Sequence, residues 1–159
     1  METPLIREAT KKDIASLCTL WRKMMQFHEN LDERFRFTKN AAQEYSRHIA
    51  NALHARNMRV FVAEMDGEII GYIFGEVQER SPIFPVGRFG FVSDIYVAEE
   101  WRRKGVGRLL FYKMREWMLK ERITAVELLA AERNSHSVAF WESLGFESYL
   151  KLLRKEENL

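Results

Sequence analysis

The run Arg102-Arg103-Lys104-Gly105-Val106-Gly107-Arg108 sets four cations around two glycines. It joins an apolar, strand-like stretch, Phe89 to Val97, to an amphipathic, helix-like stretch that continues to Lys120. At a strand-to-helix junction such a run can cradle an anion. Glycine lets the backbone approach a ligand closely, the N–H groups of a first helical turn have no intrahelical acceptor, and the helix dipole favours negative charge. A solvated basic turn is the other reading of the same string, and the flanking strand and helix are what favour the cradle.

Composition confines such a site to one place. The chain has 159 residues, 47% of them hydrophobic, which is enough for the core of one domain spanning residues 1–159 and too few for two. With 25 basic and 23 acidic residues the formal charge is +2, so there is no global attraction to nucleic acid or to a membrane surface. Basic residues do not gather on another face, which argues against nucleic-acid binding. Cys18 is the only cysteine, so an intramolecular disulfide is excluded. The histidines His28, His48, His54 and His136 lack ligand spacing, and no metal is expected. The N-terminal residues lack signal-peptide blocks and no apolar run reaches spanning length, so a cytoplasmic protein with no membrane partner is expected.

The elements that would position the cradle follow from periodicity. Leu5–Glu8 is a short strand candidate, and Thr10-Lys11-Lys12-Asp13 fits a capping box that starts a helix. Ile14, Leu17, Trp21, Met24 and Met25 carry that helix to about His28, and a second apolar stripe containing Tyr45 and Ile49 predicts a helix over Thr38 to Arg56. Met58–Met65 and Glu68–Val77 flank Asp66-Gly67, the signature of a hairpin with a type I′ turn. A proline-bearing loop, the strand Phe89–Val97, the helix Gly105–Lys120, a strand over Ile123–Ala130, a helix Asn134–Leu144 ended by Gly145, and a last strand over Phe146–Arg154 complete the order. This predicts a mixed α/β (α+β) architecture. The strands on either side of the cradle helix should run parallel and adjacent, with the anion site at their C-terminal edge.

In this order the chain resembles the GNAT superfamily of N-acetyltransferases. The family's acyl-CoA signature, R/Q-x-x-G-x-G/A after a strand, is met by Arg102, Gly105 and Gly107, and its second motif by Asn134, Trp141 and Leu144-Gly145-Phe146. The resemblance implies a central, mostly antiparallel sheet with one parallel pair splayed around the cofactor, and helices on both faces. It implies acetyl-CoA as cofactor and a small-molecule amine or protein amino group as acceptor. The pyrophosphate would lie on the backbone N–H groups from about Arg103 through Lys104, Gly105, Val106 and Gly107 to Arg108, with Arg102 also counted among the cofactor-binding residues. The pantetheine arm would run along Ile95, Tyr96 and Val97, with the N–H of Tyr96 or Val97 facing the thioester carbonyl. Asn134, Ser137 and Trp141 would flank the arm, although Asn134 equally suits the N-cap of the helix that begins there.

A lysine-like amine, with a pKa of about 10.4, is protonated at neutral pH and needs a proton acceptor before it can attack. Asp94, the only acid in the strand Phe89–Val97, is that candidate; a carboxylate held by Arg88 or Ser93 is the alternative. Tyr96, two residues on, would share its face and serve either as a relay or as a packing aromatic. The family places the acceptor beside the connection between the first two helices. Here that connection offers His28, Glu29, Asp32, Glu33 and Phe35 to a cationic amine, or forms a solvated loop. One departure stands out, because Trp141 occupies the position of the tyrosine that protonates the leaving thiolate in many members. An indole N–H does not titrate, so Tyr112 or Tyr149 would have to substitute, or the thiolate, with a pKa of about 8.5, leaves unaided and more slowly. A catalytically weak acyl-CoA-binding or sensor module is the alternative function this departure raises. A second departure is the short ending after Gly145, which leaves the acceptor site open or completed by a partner subunit of a homodimer.

Overall fold

The computed structural model of the protein describes residues 2–157. Backbone contacts divide the chain into one unit that ends at Leu129 and a smaller one that begins at Ala130.

The first unit is built on a five-stranded sheet in the order β1-β2-β3-β4-β5, with β1 at Leu5–Glu8, β2 at Met58–Met65, β3 at Glu68–Glu79, β4 at Arg88–Val97 and β5 at Val126–Leu128. The β1/β2, β2/β3 and β3/β4 pairs are antiparallel. The β4/β5 pair is parallel, as expected for two strands joined through a crossover helix. The β2–β3 turn is held by Asp66 (φ 51°) and Gly67 (φ 81°), both left-handed as a type I′ turn requires.

Helices cover both faces of this sheet. On one face α1 (Ile14–Leu31) and α2 (Ala41–Ala52) place Leu17, Leu20, Trp21, Tyr45 and Ile49 in a single core with Val60, Val62, Tyr72 and Phe74. On the other face α3 (Val106–Lys120) sets Leu110, Met114 and Met118 against three glycines. A Cβ at Gly71 would lie 2.9 Å from the Tyr96 carbonyl and 3.4 Å from Leu110, one at Gly75 2.8 Å from Met114 Sδ, and one at Gly90 2.5 Å from Met118 Sδ. The spacing of four residues along α3 is one side of a helix, so the glycine seam fixes both its distance from the sheet and its rotation.

The expected strand over Ile123–Ala130 narrows to Val126–Leu128, and the helix expected over Thr38–Arg56 to Ala41–Ala52. The first helix runs on to Leu31 because Asp32 turns extended only after its N–H bonds the His28 carbonyl. In the second unit α4 (Ser135–Ser143) is where the sequence puts a helix. No strand forms over Phe146–Arg154. Phe146 instead completes the helix stop: its N–H bonds the Trp141 carbonyl at 3.1 Å and that of Gly145 (φ 89°) bonds Glu142 at 3.0 Å, a Schellman cap sealed by the Trp141–Phe146 ring contact.

The capping box lies at a three-way junction. Asp13, 6% exposed, accepts from the Thr10 N–H at 2.7 Å and from both Nη atoms of Arg7, while Arg7 Nε donates to Glu64 on β2 at 2.7 Å. The Arg7 bonds hold the Asp13 carboxyl down at about 2 against the opposing effect of burial. A carboxyl lowered in the fold stabilises it above the unfolded value near pH 4, and that contribution is lost as the pH falls from about 4 towards 2. Arg7→Met should therefore cost about 2 kcal/mol at neutral pH and flatten the acid limb of stability, read by urea unfolding between pH 2 and 7. At the glycine seam, Gly71→Ala should destabilise by about 1–3 kcal/mol and by more than Gly90→Ala, because a backbone carbonyl cannot swing aside as Met118 can. The same unfolding curves compare the two.

Candidate active site

The site begins with an irregularity in β4. Phe74 pairs with Asp94 and Gly75 with Val92, so Ser93 is an extra residue with no partner on β3. In an even strand, residues two apart share a face, and Asp94 would face α3 with Gly90 and Val92. The bulge reverses this. Asp94 pairs with Phe74 and Tyr96 with Tyr72, on the α1/α2 face, while Ile95 and Val97 turn towards α3. Asp94 and Tyr96 thus share a face as expected, but by way of a bulge that periodicity does not reveal.

The bulge also marks where the parallel strands part. The last β4/β5 pair is Val92–Leu128, so among the described residues the β4 edge from Ser93 to Val97 has no strand beside it opposite β3. Backbone direction along this edge follows from two bonds. The Ala98 N–H donates to Ile70 on β3 at 2.8 Å, and the Val97 carbonyl accepts from Arg102 Nε at 3.0 Å. Alternation then points the amides of Ile95 and Val97 to the open edge and that of Tyr96 towards β3. Of the two donors expected from sequence, Val97 is the one the backbone presents.

The cradle follows within a few residues. Glu99–Trp101 forms a 3-10 turn, Arg103 (φ 61°) and Gly105 (φ 83°) are left-handed, and Val106 opens α3. Left-handed residues two apart gather N–H groups into a concavity suited to an anion, and a Cβ at Gly105 would meet nothing within 4 Å, so the space above this backbone is open. Of the basic residues, Arg102 lies 5.2 Å from the Tyr96 ring, Lys104 4.8 Å from that of Trp101, and Arg108 Nη1 3.3 Å from the Tyr112 hydroxyl. Arg102 is therefore also a brace at the end of β4. Trp101, Lys104, Gly105, Arg108 and Tyr112 line an open hollow of about 370 Å³ beside residues 2–4.

On the α1/α2 face Asp94 is half-buried and its Oδ2 accepts from the Tyr45 hydroxyl at 3.0 Å. Tyr45 stacks on Trp21 at 4.5 Å, and its hydroxyl lies 3.3 Å from that of the fully buried Tyr72. Burial pushes the Asp94 carboxyl above the ordinary carboxylate range, opposed by the Tyr45 bond and by the nearby His48 and His28 imidazoles. Arg88 and Ser93, the structural partners suggested by sequence, are not what holds it. Tyr45 and Tyr72 escape the sequence reading because each sits in an apolar pattern. The available signal is that a tyrosine buried in a helical stripe needs a partner for its hydroxyl.

The connection after α1 carries its own ion pairs. Asp32 accepts from the Arg34 backbone at 3.0 Å and from its guanidinium, and the exposed Glu33 lies 3.4 Å from Arg36, so both acids have a cation within their own turn. Glu29 lies 3.4 Å from Gln26 Nε2. His28 Nδ1 bonds the Met24 carbonyl at 2.9 Å, with the Phe35 ring 5.4 Å away. In the second unit Asn134 Oδ1 caps α4 by accepting from the Ser137 N–H at 3.2 Å, and Trp141 is buried against Phe140 at 4.9 Å and Phe146 at 5.2 Å.

Residues 21–146 match the family model of the acetyltransferase (GNAT) family. The chain belongs to that family. An N-alpha-acetyltransferase of Sulfurisphaera tokodaii is 34% identical to it over 100 residues, 59% of this chain and 59% of that protein. Matches to the curated relatives span 56–62% of those proteins' length. Among solved structures, the fold is that of the BH1408 protein of Bacillus halodurans, with a TM-score of 0.84 at 23% identity over 96% of this chain and 99% of the other. It is also that of an aminoglycoside 6'-N-acetyltransferase of Acinetobacter haemolyticus, with a TM-score of 0.77 at 20% identity over 98% and 99%. GNAT enzymes draw their acetyl group from acetyl-CoA, and the open backbone after Trp101 with its basic rim fits a pyrophosphate.

A carboxylate placed in that concavity would repel phosphate and fill its space. Gly107→Glu should therefore lower acetyl-CoA affinity at least 100-fold in isothermal titration, with an unchanged circular dichroism spectrum; retained affinity would dissociate the cradle from binding.

Proposed function

We propose that this GNAT-family chain acetylates a primary amine of a small molecule or protein, with the cradle holding the cofactor and Asp94 accepting the proton. One observation carries this reading: a single stretch of β4 puts a half-buried carboxylate on one face and free backbone donors along its open edge, and leads directly into the cradle. Acetyl-CoA, when bound, supplies a thioester whose carbonyl carbon is the electrophile.

Each protein group then has a distinct task. The first-turn amides from Val106 onward, with Lys104 and Arg108 at the rim, balance phosphate charge. The Val97 N–H is the donor available to an oxygen at the open edge, where a fixed dipole needs no reorganisation. Asp94, raised towards neutrality by burial, is a stronger base than a surface carboxylate and remains an acceptor at the pH where amines are still protonated. Glu29 and Glu33, exposed at the end of α1 and in the turn after it, add negative charge that would attract a cationic amine, while Asp32 is held by Arg34. Trp141 offers no titrating proton, so the leaving thiolate takes its proton from solvent or from another hydroxyl.

Free-thiol release from acetyl-CoA with a panel of amines tests the activity. Asp94→Asn should lower kcat about 100-fold at pH 7 with little change in acetyl-CoA affinity, and the loss should shrink as the pH approaches the amine's own pKa, where a base is no longer needed. A loss independent of pH would make Asp94 structural.

A further inference from the structure

We propose that Tyr45 is a positioning residue that clamps Asp94 Oδ2, so that Oδ1 is the atom that takes the proton from the acceptor amine. The inference rests on the reading of Asp94 as proton acceptor and adds which oxygen acts and what holds it.

A tyrosine hydroxyl carries one proton. Its oxygen lies 3.0 Å from Asp94 Oδ2 and 3.3 Å from the Tyr72 hydroxyl. An ionised carboxylate can only accept, so the Tyr45 proton goes to Asp94; the Tyr72 hydroxyl has Met24 Sδ at 4.0 Å and the Tyr45 oxygen at 3.3 Å as acceptors for its own proton, and the oxygen is the nearer and stronger. The Tyr45 ring cannot swing away. It stacks on Trp21 at an interplanar angle of 13° and is 8% exposed, in a core that includes Tyr72 and Ile49. A carboxylate bonded through one oxygen to an immobile donor loses its two-fold freedom about χ2, and its second oxygen acquires a fixed direction.

Burial, with the neighbouring Tyr72 hydroxyl and the Asp94 charge, drives the ionisation of Tyr45 far above the ordinary tyrosine range, so its hydroxyl stays neutral as the donor of this bond. Proton transfer therefore breaks one N–H bond of the ammonium, forms O–H at Asp94 Oδ1 and leaves the electron pair on nitrogen, after which Oδ1 returns the proton to solvent. The groups that bear on Asp94 are His28 from α1, Tyr45 and His48 from α2 and Tyr72 from β3, while Tyr96 on its own strand shares its face and bears on Tyr72. Of these, the one that bonds its carboxylate directly is Tyr45.

Removing one donor to the ionised form should raise the Asp94 midpoint by about one pH unit. In Tyr45→Phe, with Asp carboxyls labelled with carbon-13 and followed by NMR in the substrate-free protein, that rise is expected. The acid limb of kcat/KM should move up by the same amount, an approximately 10-fold loss on the limb, while the dissociation constant for acetyl-CoA stays the same. Tyr72→Phe, which acts through Tyr45, should move the midpoint in the same direction by less, and it provides the readout if Tyr45→Phe does not fold. An unmoved midpoint in folded Tyr45→Phe, or in folded Tyr72→Phe where only that variant can be read, overturns the clamp. A moved midpoint with an unmoved acid limb overturns instead the role of Asp94 in catalysis, and with it the assignment of Oδ1.

Discussion

Ser93 enters β4 without a partner on β3, and two consequences of that single residue meet at one place. It reverses the face of every later side chain in the strand, so that Asp94 leaves the α3 side and faces α1 and α2. It coincides with the last residue pair shared with β5, so the backbone beyond it keeps donors at an open edge. A regular strand would leave the same edge open but turn the carboxylate to the other face. Without the bulge the carboxylate would lie among the methionines of α3, where an unpaired charge is costly.

The other half of the site depends on how closely α3 can approach. Its first turn supplies the cradle, and its path is set by side chains that fill the absence of side chains on β3 and β4. Because a Cβ at Gly71 would also meet the Tyr96 carbonyl, the seam that seats the helix borders the strand segment that carries the candidate site. The glycine-bearing turn before α3 and the half-buried carboxylate of Asp94 are thus placed by one packing arrangement seen from its two faces.

Much of this is written in local patterns. The Asp66-Gly67 turn, the Thr10 to Asp13 box, the glycines after Trp101 and the Leu144-Gly145-Phe146 stop each specify a backbone geometry within a few residues, and each is found where it was expected. What escaped reading is long-range. A bulge is defined by a partner strand, so Phe89–Val97 reads as one unbroken run. Tyr45 and Tyr72 lie 27 residues apart and become a unit only when α2 settles on β3. The alternation over Phe146–Arg154 suggests a strand, yet a strand needs a neighbour, and there the chain spends its first residues on closing α4. The pairing of Asp32 with Arg34 and of Glu33 with Arg36 was the legible exception, since residues two and three apart in a tight turn are within reach of each other.

The contact between Gly90 and Met118 bears on how this sequence can diverge. Methionine is flexible enough to fill a groove left by a missing side chain, but the groove and its filler are two halves of one volume. A lineage that acquires even a methyl group at Gly90 must shorten or redirect residue 118, and one that first loses the methionine leaves a cavity that favours a larger residue on β4. The two positions are therefore bound to change together, and the order in which they change decides whether the intermediate protein is overpacked or hollow.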